Sequence, residues 1–117
     1  GGPWYLPRLI GWAKAAEITF LGEVLDADRS LQLGLVNRVV SHDDLMGETL
    51  AVARQIAANA PLSVQSTKRM MRLGMEETFE TAVDHVYLQL LPLFQTADFA
   101  EGLRAFNERR DPRFKGS

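Results

Sequence analysis

Few residues in this chain could do chemistry, and their spacing does not favour it. There are two histidines, His42 and His85, and no cysteine. Ser41, His42 and Asp43 have the side-chain types of a nucleophilic triad, but they are consecutive. Neighbours in sequence cannot converge on one another as a triad must. His85 follows Asp84 in a helical pattern and has no ligand at metal-binding spacing, so no metal is expected. The glycines form neither of the phosphate-loop spacings. Lys68, Arg69 and Arg72 cluster on a helical pattern, and the same spacing makes an ordinary solvated face. Arg109, Arg110 and Lys115 give the chain a basic exit, where positive charge suits the carbonyl end of a helix dipole. No catalytic constellation results.

The elements that must carry these groups read mainly as helices. From Thr96 onward, Phe99, Leu103 and Phe106 recur at i, i+4 and i+7 and put an apolar stripe on one face. Asp98 reads as the cap of this helix, with Glu101 three residues on. Pro112 is expected to end it, and Phe114 anchors the positive tail. Residues 75–95 form the longest helical segment, with Phe79, Val83, Val86 and Leu90 in a stripe. From Val86 to Phe94 almost no polar face remains, so a partner is expected to cover it. Pro92 should kink or end that helix.

Further back, residues 61–73 form a helix with Leu62, Val64 and Met71 inward and Gly74 as its stop. Residues 41–60 form another, opened by Ser41 with Asp44 three residues later and closed by Asn59 and Pro61. Its face is Leu45, Thr49, Ala53, Ile56 and Ala57. The run from Leu35 to Val40 is short and β-branched and reads as a brief strand. Asp26 or Ala27 opens a short helix that Gly34 ends, and Gly22 stops a helix over residues 11–21. Before it, Gly1 and Gly2 permit a tight turn, and Pro7 allows only a short or bent helix.

Composition narrows the function classes. The 117 residues suffice for one domain, and 46% hydrophobic with 24% charged residues is an ordinary soluble balance. A net charge of −2 argues against a nucleic-acid partner bound through phosphate neutralisation. No apolar run is long enough to span a bilayer, so no membrane partner is expected. The lack of cysteine fits a reducing compartment, and a cytoplasmic location is the expectation. The abrupt apolar opening, Gly1-Gly2-Pro3-Trp4, leads us to expect a fragment of a longer protein.

The run D-x-x-E-G-x-x-A-F-x-E-x-R-x-P-x-F-x-G, from Asp98 to Gly116, resembles the C-terminal signature of the enoyl-CoA hydratase/isomerase (crotonase) family. Two other stretches agree. Gly1, Gly2, Leu6, Arg8 and Gly11 match the family's G-G-x-x-x-L-x-R-x-x-G, with Trp4, Tyr5 and Pro7 less common there. Gly22, Ala27, Gly34, Leu35, Val36, Val39 and Val40 match a second segment, with Ser30 at a usual alanine. Lys68 also falls where the family has lysine. The resemblance implies an enzyme of acyl-CoA thioesters. Two backbone N–H groups form its oxyanion hole and one or two carboxylates move the protons. In the family all of these precede the G-G segment. Glu17, Glu23 and Asp26 match none of them, so no catalytic residue is expected in this chain.

The resemblance therefore implies a mainly α chain with one or two short strands, the C-terminal helical oligomerisation region of a crotonase-like fold. Residues 1–40 would be the tail end of the core and residues 41–117 the helical lobe. In the family the last helices pack between subunits of a trimer and cover the acyl-CoA site. By this resemblance Arg109, with Lys115 as the weaker candidate, would meet a CoA phosphate, and Leu90 would touch the acyl chain of a neighbouring subunit. Trp4 or Tyr5 would line an acyl pocket, or else pack on a missing domain. The CoA thioester is the substrate and no cofactor is expected. The alternative is a non-catalytic helical oligomerisation or interaction module.

Overall fold

The computed structural model describes residues 2–117. The glycine pair expected to turn the chain at its start therefore lies partly outside the described residues, since Gly1 is not among them. The chain divides into two compact units, Gly1–Met46 and Gly47–Ser117.

In the first unit, α1 (Gly2–Ile10) tolerates Pro7. The residue four back is Pro3, in the first turn, so the helix loses only one hydrogen bond. Gly11, at φ 84°, breaks the chain between α1 and α2 (Trp12–Leu21). The two helices pack together, with Ala15 and Ile18 buried on α2. Gly22 ends α2 in the left-handed conformation, its N–H donating to the Ile18 carbonyl, as expected of a C-terminal glycine. Asp26 caps α3 (Ala27–Gln32) by accepting the Arg29 N–H at 2.7 Å. Gly34, at φ 76°, turns the chain out of α3 above the buried Leu33.

Residues 35–40 form no strand, which corrects the expectation for Leu35 to Val40. Every regular element among the described residues is a helix. A β-branched run has no ladder to join here, and extended propensity without a partner makes no strand.

Four further helices follow, α4 (Leu45–Ala57), which runs across the boundary at Met46, and α5 (Pro61–Gly74), α6 (Phe79–Leu93) and α7 (Ala97–Glu108), which lie in the second unit. The Ser41 hydroxyl accepts the Asp44 N–H at 3.2 Å and donates to its carboxylate at 2.6 Å, closing the turn ahead of α4. Asn59 folds its amide onto the Gln55 carbonyl at 3.0 Å at the far end. Pro61 opens α5, where its missing N–H costs nothing. α5 and α6 pack together. Leu62, Val64 and Met70 are half-buried, whereas Met71, expected inward, is exposed.

The segment expected to run from residue 75 is shorter. Thr78 accepts the Thr81 N–H at 3.3 Å, and this cap starts α6 at Phe79 after a turn. Pro92 sits in the last turn of α6, as its lost donor requires. Tyr87, Leu88, Leu91 and Phe94 remain exposed along α6 and its end, and Phe106 on α7 is 82% exposed.

Candidate functional site

The cations at the end of the chain are organised by two carboxylates on α7. Thr96, not Asp98, caps this helix: its hydroxyl accepts the Phe99 N–H at 3.1 Å and donates to the Leu93 carbonyl at 2.7 Å. With the cap position filled, the Asp98 carboxylate turns to the end of the chain. It accepts the Lys115 N–H at 2.6 Å and the Gly116 N–H at 2.7 Å. In return the Asp98 N–H donates to the Ser117 carbonyl at 3.0 Å. That bond satisfies one of the free donors that every helix start presents.

Asp98 is 3% exposed, the one buried charged side chain among the described residues. A buried charge needs partners to offset its lost hydration. Here each oxygen receives a charge-assisted hydrogen bond, and the helix N-terminus favours the anion.

Glu101 lies one turn further along the same face. Arg110 donates to both of its oxygens, at 2.6 and 3.1 Å, and the Arg113 N–H adds a third bond at 2.9 Å. Arg104 stands at 3.3 Å. The Arg110 and Arg113 hydrogen bonds outweigh partial burial and hold the Glu101 carboxyl at about 2, against an ordinary 4.5. Glu101 and Glu108 in turn push the Arg110 guanidinium up.

Arg110 reaches back because Arg109 turns the chain. Arg109 is the C-cap of α7 at φ 53° and ψ 44°, with its N–H on the Ala105 and Phe106 carbonyls. The helix therefore ends at Glu108, before Pro112, which corrects the expectation that Pro112 stops it. Residues 110–117 then run back as a strap with Phe114 half-buried. The Phe114 ring lies 3.7 Å from where a side-chain carbon on Gly102 would stand.

Strap and helix flank an open cleft of about 520 Å³ lined by Asp98, Glu101, Arg104, Arg110, Arg113 and Lys115, with Ala97. Glu101 engages Arg104 and Arg110. No carboxylate among the described residues pairs with the side chain of Arg113 or Lys115, so these two cations are open to an anion from outside. An adjoining apolar groove of about 310 Å³ has Leu90, Leu93, Phe99 and Phe114 on its wall, and Asp98 contributes to both.

The sequence-predicted residues thus separate. Lys115 and Leu90 line neighbouring spaces that share Asp98, while the Arg109 side chain lines neither. Trp4 and Tyr5 belong to the other unit. Their rings meet edge to face at 4.6 Å, and Arg8 lies 4.0 Å over Trp4. That unit's small apolar cavity is walled by Leu6, Trp12, Ala16 and Phe20, without Trp4 or Tyr5.

The other chemistry-bearing residues do not assemble. Ser41 bonds Asp44, and His85 Nδ1 lies 2.9 Å from the Glu77 carboxylate. No metal-ligand cluster exists among the described residues, and no helix is long and apolar enough to cross a membrane. Sequence reasoning missed Asp98 and Glu101 as anchors of the strap. The available signal was Thr96, a second residue able to cap, two positions earlier.

Comparison with known proteins places this arrangement. The family model for enoyl-CoA hydratase/isomerase matches residues 1–117. A short-chain-enoyl-CoA hydratase of Clostridioides difficile is 42% identical over 107 residues, which cover 91% of this chain and 68% of that protein. An (E)-benzylidenesuccinyl-CoA hydratase of Thauera aromatica is 39% identical over 96% of this chain and 44% of its own length. Among solved structures, an enoyl-CoA hydratase from Bacillus anthracis superposes with a TM-score of 0.97 at 33% identity, over 100% of this chain and 45% of that one. One from Mycobacterium tuberculosis gives 0.94 at 37% identity, over 100% and 46%. The chain spans a little under half the length of three of these four proteins.

Proposed function

The chain belongs to the enoyl-CoA hydratase/isomerase family, and from that premise we propose that it is the C-terminal helical part of an enzyme acting on enoyl-CoA thioesters. The observation that carries the reading is the family match across residues 1–117. Hydration leads the proposal because both relatives named above are hydratases. Water oxygen would bond to the β-carbon and a proton to the α-carbon, through an enolate held by backbone N–H groups. The oxyanion hole and the proton-moving carboxylates would lie outside this chain, because no residue here matches them.

The chain's own share is binding. Lys115 would meet a CoA phosphate, supported by its place on the cationic cleft wall and its unpaired ammonium. Arg109 keeps the family spacing but lines no part of that cleft, so Lys115 leads. Leu90, with the groove beside Phe114, would meet the acyl chain, and Trp4 and Tyr5 would pack against the rest of the protein or its acyl pocket. The exposed apolar face of α6 supports subunit contact in a homotrimer. The CoA thioester is the substrate, no further cofactor belongs to the proposal, and the location is cytoplasmic. The test is thioester hydration by the full-length protein and by this chain alone.

A further inference from the structure

Lys115 combines a fixed backbone with a free side chain. Its N–H is held at 2.6 Å by Asp98, and its ammonium has no carboxylate partner among the described residues. The neighbouring Gly116 N–H is held by the second Asp98 oxygen, and Arg113 is held by Glu101. Gly116 adopts φ 77°, a conformation that strains any residue with a Cβ, and its backbone passes near Pro61 at the start of α5. The strap is thus pinned on both sides of Phe114. A lysine on a free tail would lose backbone freedom on meeting a ligand; here that freedom is already gone.

We propose that Asp98 is a positioning residue: its latch on the strap fixes the backbone from which the Lys115 ammonium reaches. The role rests on the reading of Lys115 as the CoA phosphate contact. The other carboxylates on α7 are already engaged, Glu108 by Arg110. Glu101 is occupied by Arg110 and the Arg113 N–H, and the Thr96 hydroxyl by the cap.

Asp98→Asn keeps the volume but loses the geometry. An amide has one acceptor oxygen and turns its NH2 toward the second backbone donor. In the full-length protein, amide exchange over residues 113–117 should quicken while α5 and α6 keep their protection. The KM for an enoyl-CoA thioester should rise about three- to five-fold, the range of a solvated charge–phosphate contact. The KM for the dephospho-CoA thioester, which lacks the 3′-phosphate, and kcat for both should hold. Asp98→Asn added to Lys115→Ala should cost nothing more than Lys115→Ala alone. Gly116→Ala, which strains the strap and leaves the carboxylate in place, should give a milder version of the same pattern if Asp98→Asn does not fold.

Unchanged exchange in the strap would overturn the latch. Faster exchange with phosphate discrimination intact, or an additive double variant, would overturn the positioning role. If Lys115→Ala itself leaves discrimination intact, the phosphate reading of Lys115 fails, and the exchange data still report on the latch separately.

Discussion

Arg109→Gly isolates the turn that sends the strap back. Arg109 is the single non-glycine residue at positive φ among the described residues, at 53°. A Cβ in that conformation crowds the following carbonyl and costs about 1–2 kcal/mol. Glycine removes that cost but gives the unfolded chain more freedom, worth about 0.5–1 kcal/mol in the other direction. The Arg109 side chain makes no ion pair or hydrogen bond among the described residues, so little else is lost. Its N–H bonds to the Ala105 and Phe106 carbonyls, and the Arg110 N–H bond to Ala105 at 3.0 Å, survive the change. The net expectation is a gain of about 0.5–1 kcal/mol, a rise of about 1–4 °C in the melting midpoint of the full-length protein. Discrimination between CoA and dephospho-CoA should not change. A lower midpoint would show that Arg109 makes contacts that outweigh its strain. Lost phosphate discrimination would move the CoA contact from Lys115 to Arg109.

Glu101 sets the acid limit of the strap. Its folded value, about 2, lies below the ordinary 4.5, so its contribution is fully present above 4.5 and lost as pH falls through about 2. Exchange protection of residues 110–114 should fade between those values. Glu101→Gln should remove that pH dependence, and an identical acid profile in both proteins would refute the assignment. The α6 face of Tyr87, Leu88, Leu91 and Phe94 should lie between subunits, since about 25 cal/mol is gained per Å² of apolar area removed from water. Light scattering of the full-length protein should give an oligomer that Leu91→Asp weakens. A monomer mass for the unaltered protein would contradict this.

What the sequence made legible was local. Gly22, Asp26 and Pro61 mark helix ends through their own backbone chemistry, and each does so in the structure. The start of α6 was harder to read because Met75 continues the apolar pattern through a turn, and only the Thr78 hydroxyl interrupts it. The run at Leu35 to Val40 has strand propensity, but a strand needs a second strand, which propensity cannot supply. Asp98 was the deepest case. An aspartate at a helix start reads as a cap, and nothing local reveals that its partners lie 17 and 18 residues away. Arg109 hid the end of α7 because a left-handed arginine carries none of glycine's signal. The family signature was legible, and it held the Asp98, Glu101, Arg110 and Gly116 positions without disclosing that they form one latch.

The most direct measurement is turnover of a short-chain enoyl-CoA thioester, followed by loss of the conjugated thioester chromophore. The full-length protein should hydrate it, and this chain alone, purified, should not exceed the uncatalysed rate. A full-length protein without activity on any enoyl-CoA would contradict the proposed reaction. Turnover by the isolated chain that survives repurification would contradict the claim that its groups bind and position while others move the protons.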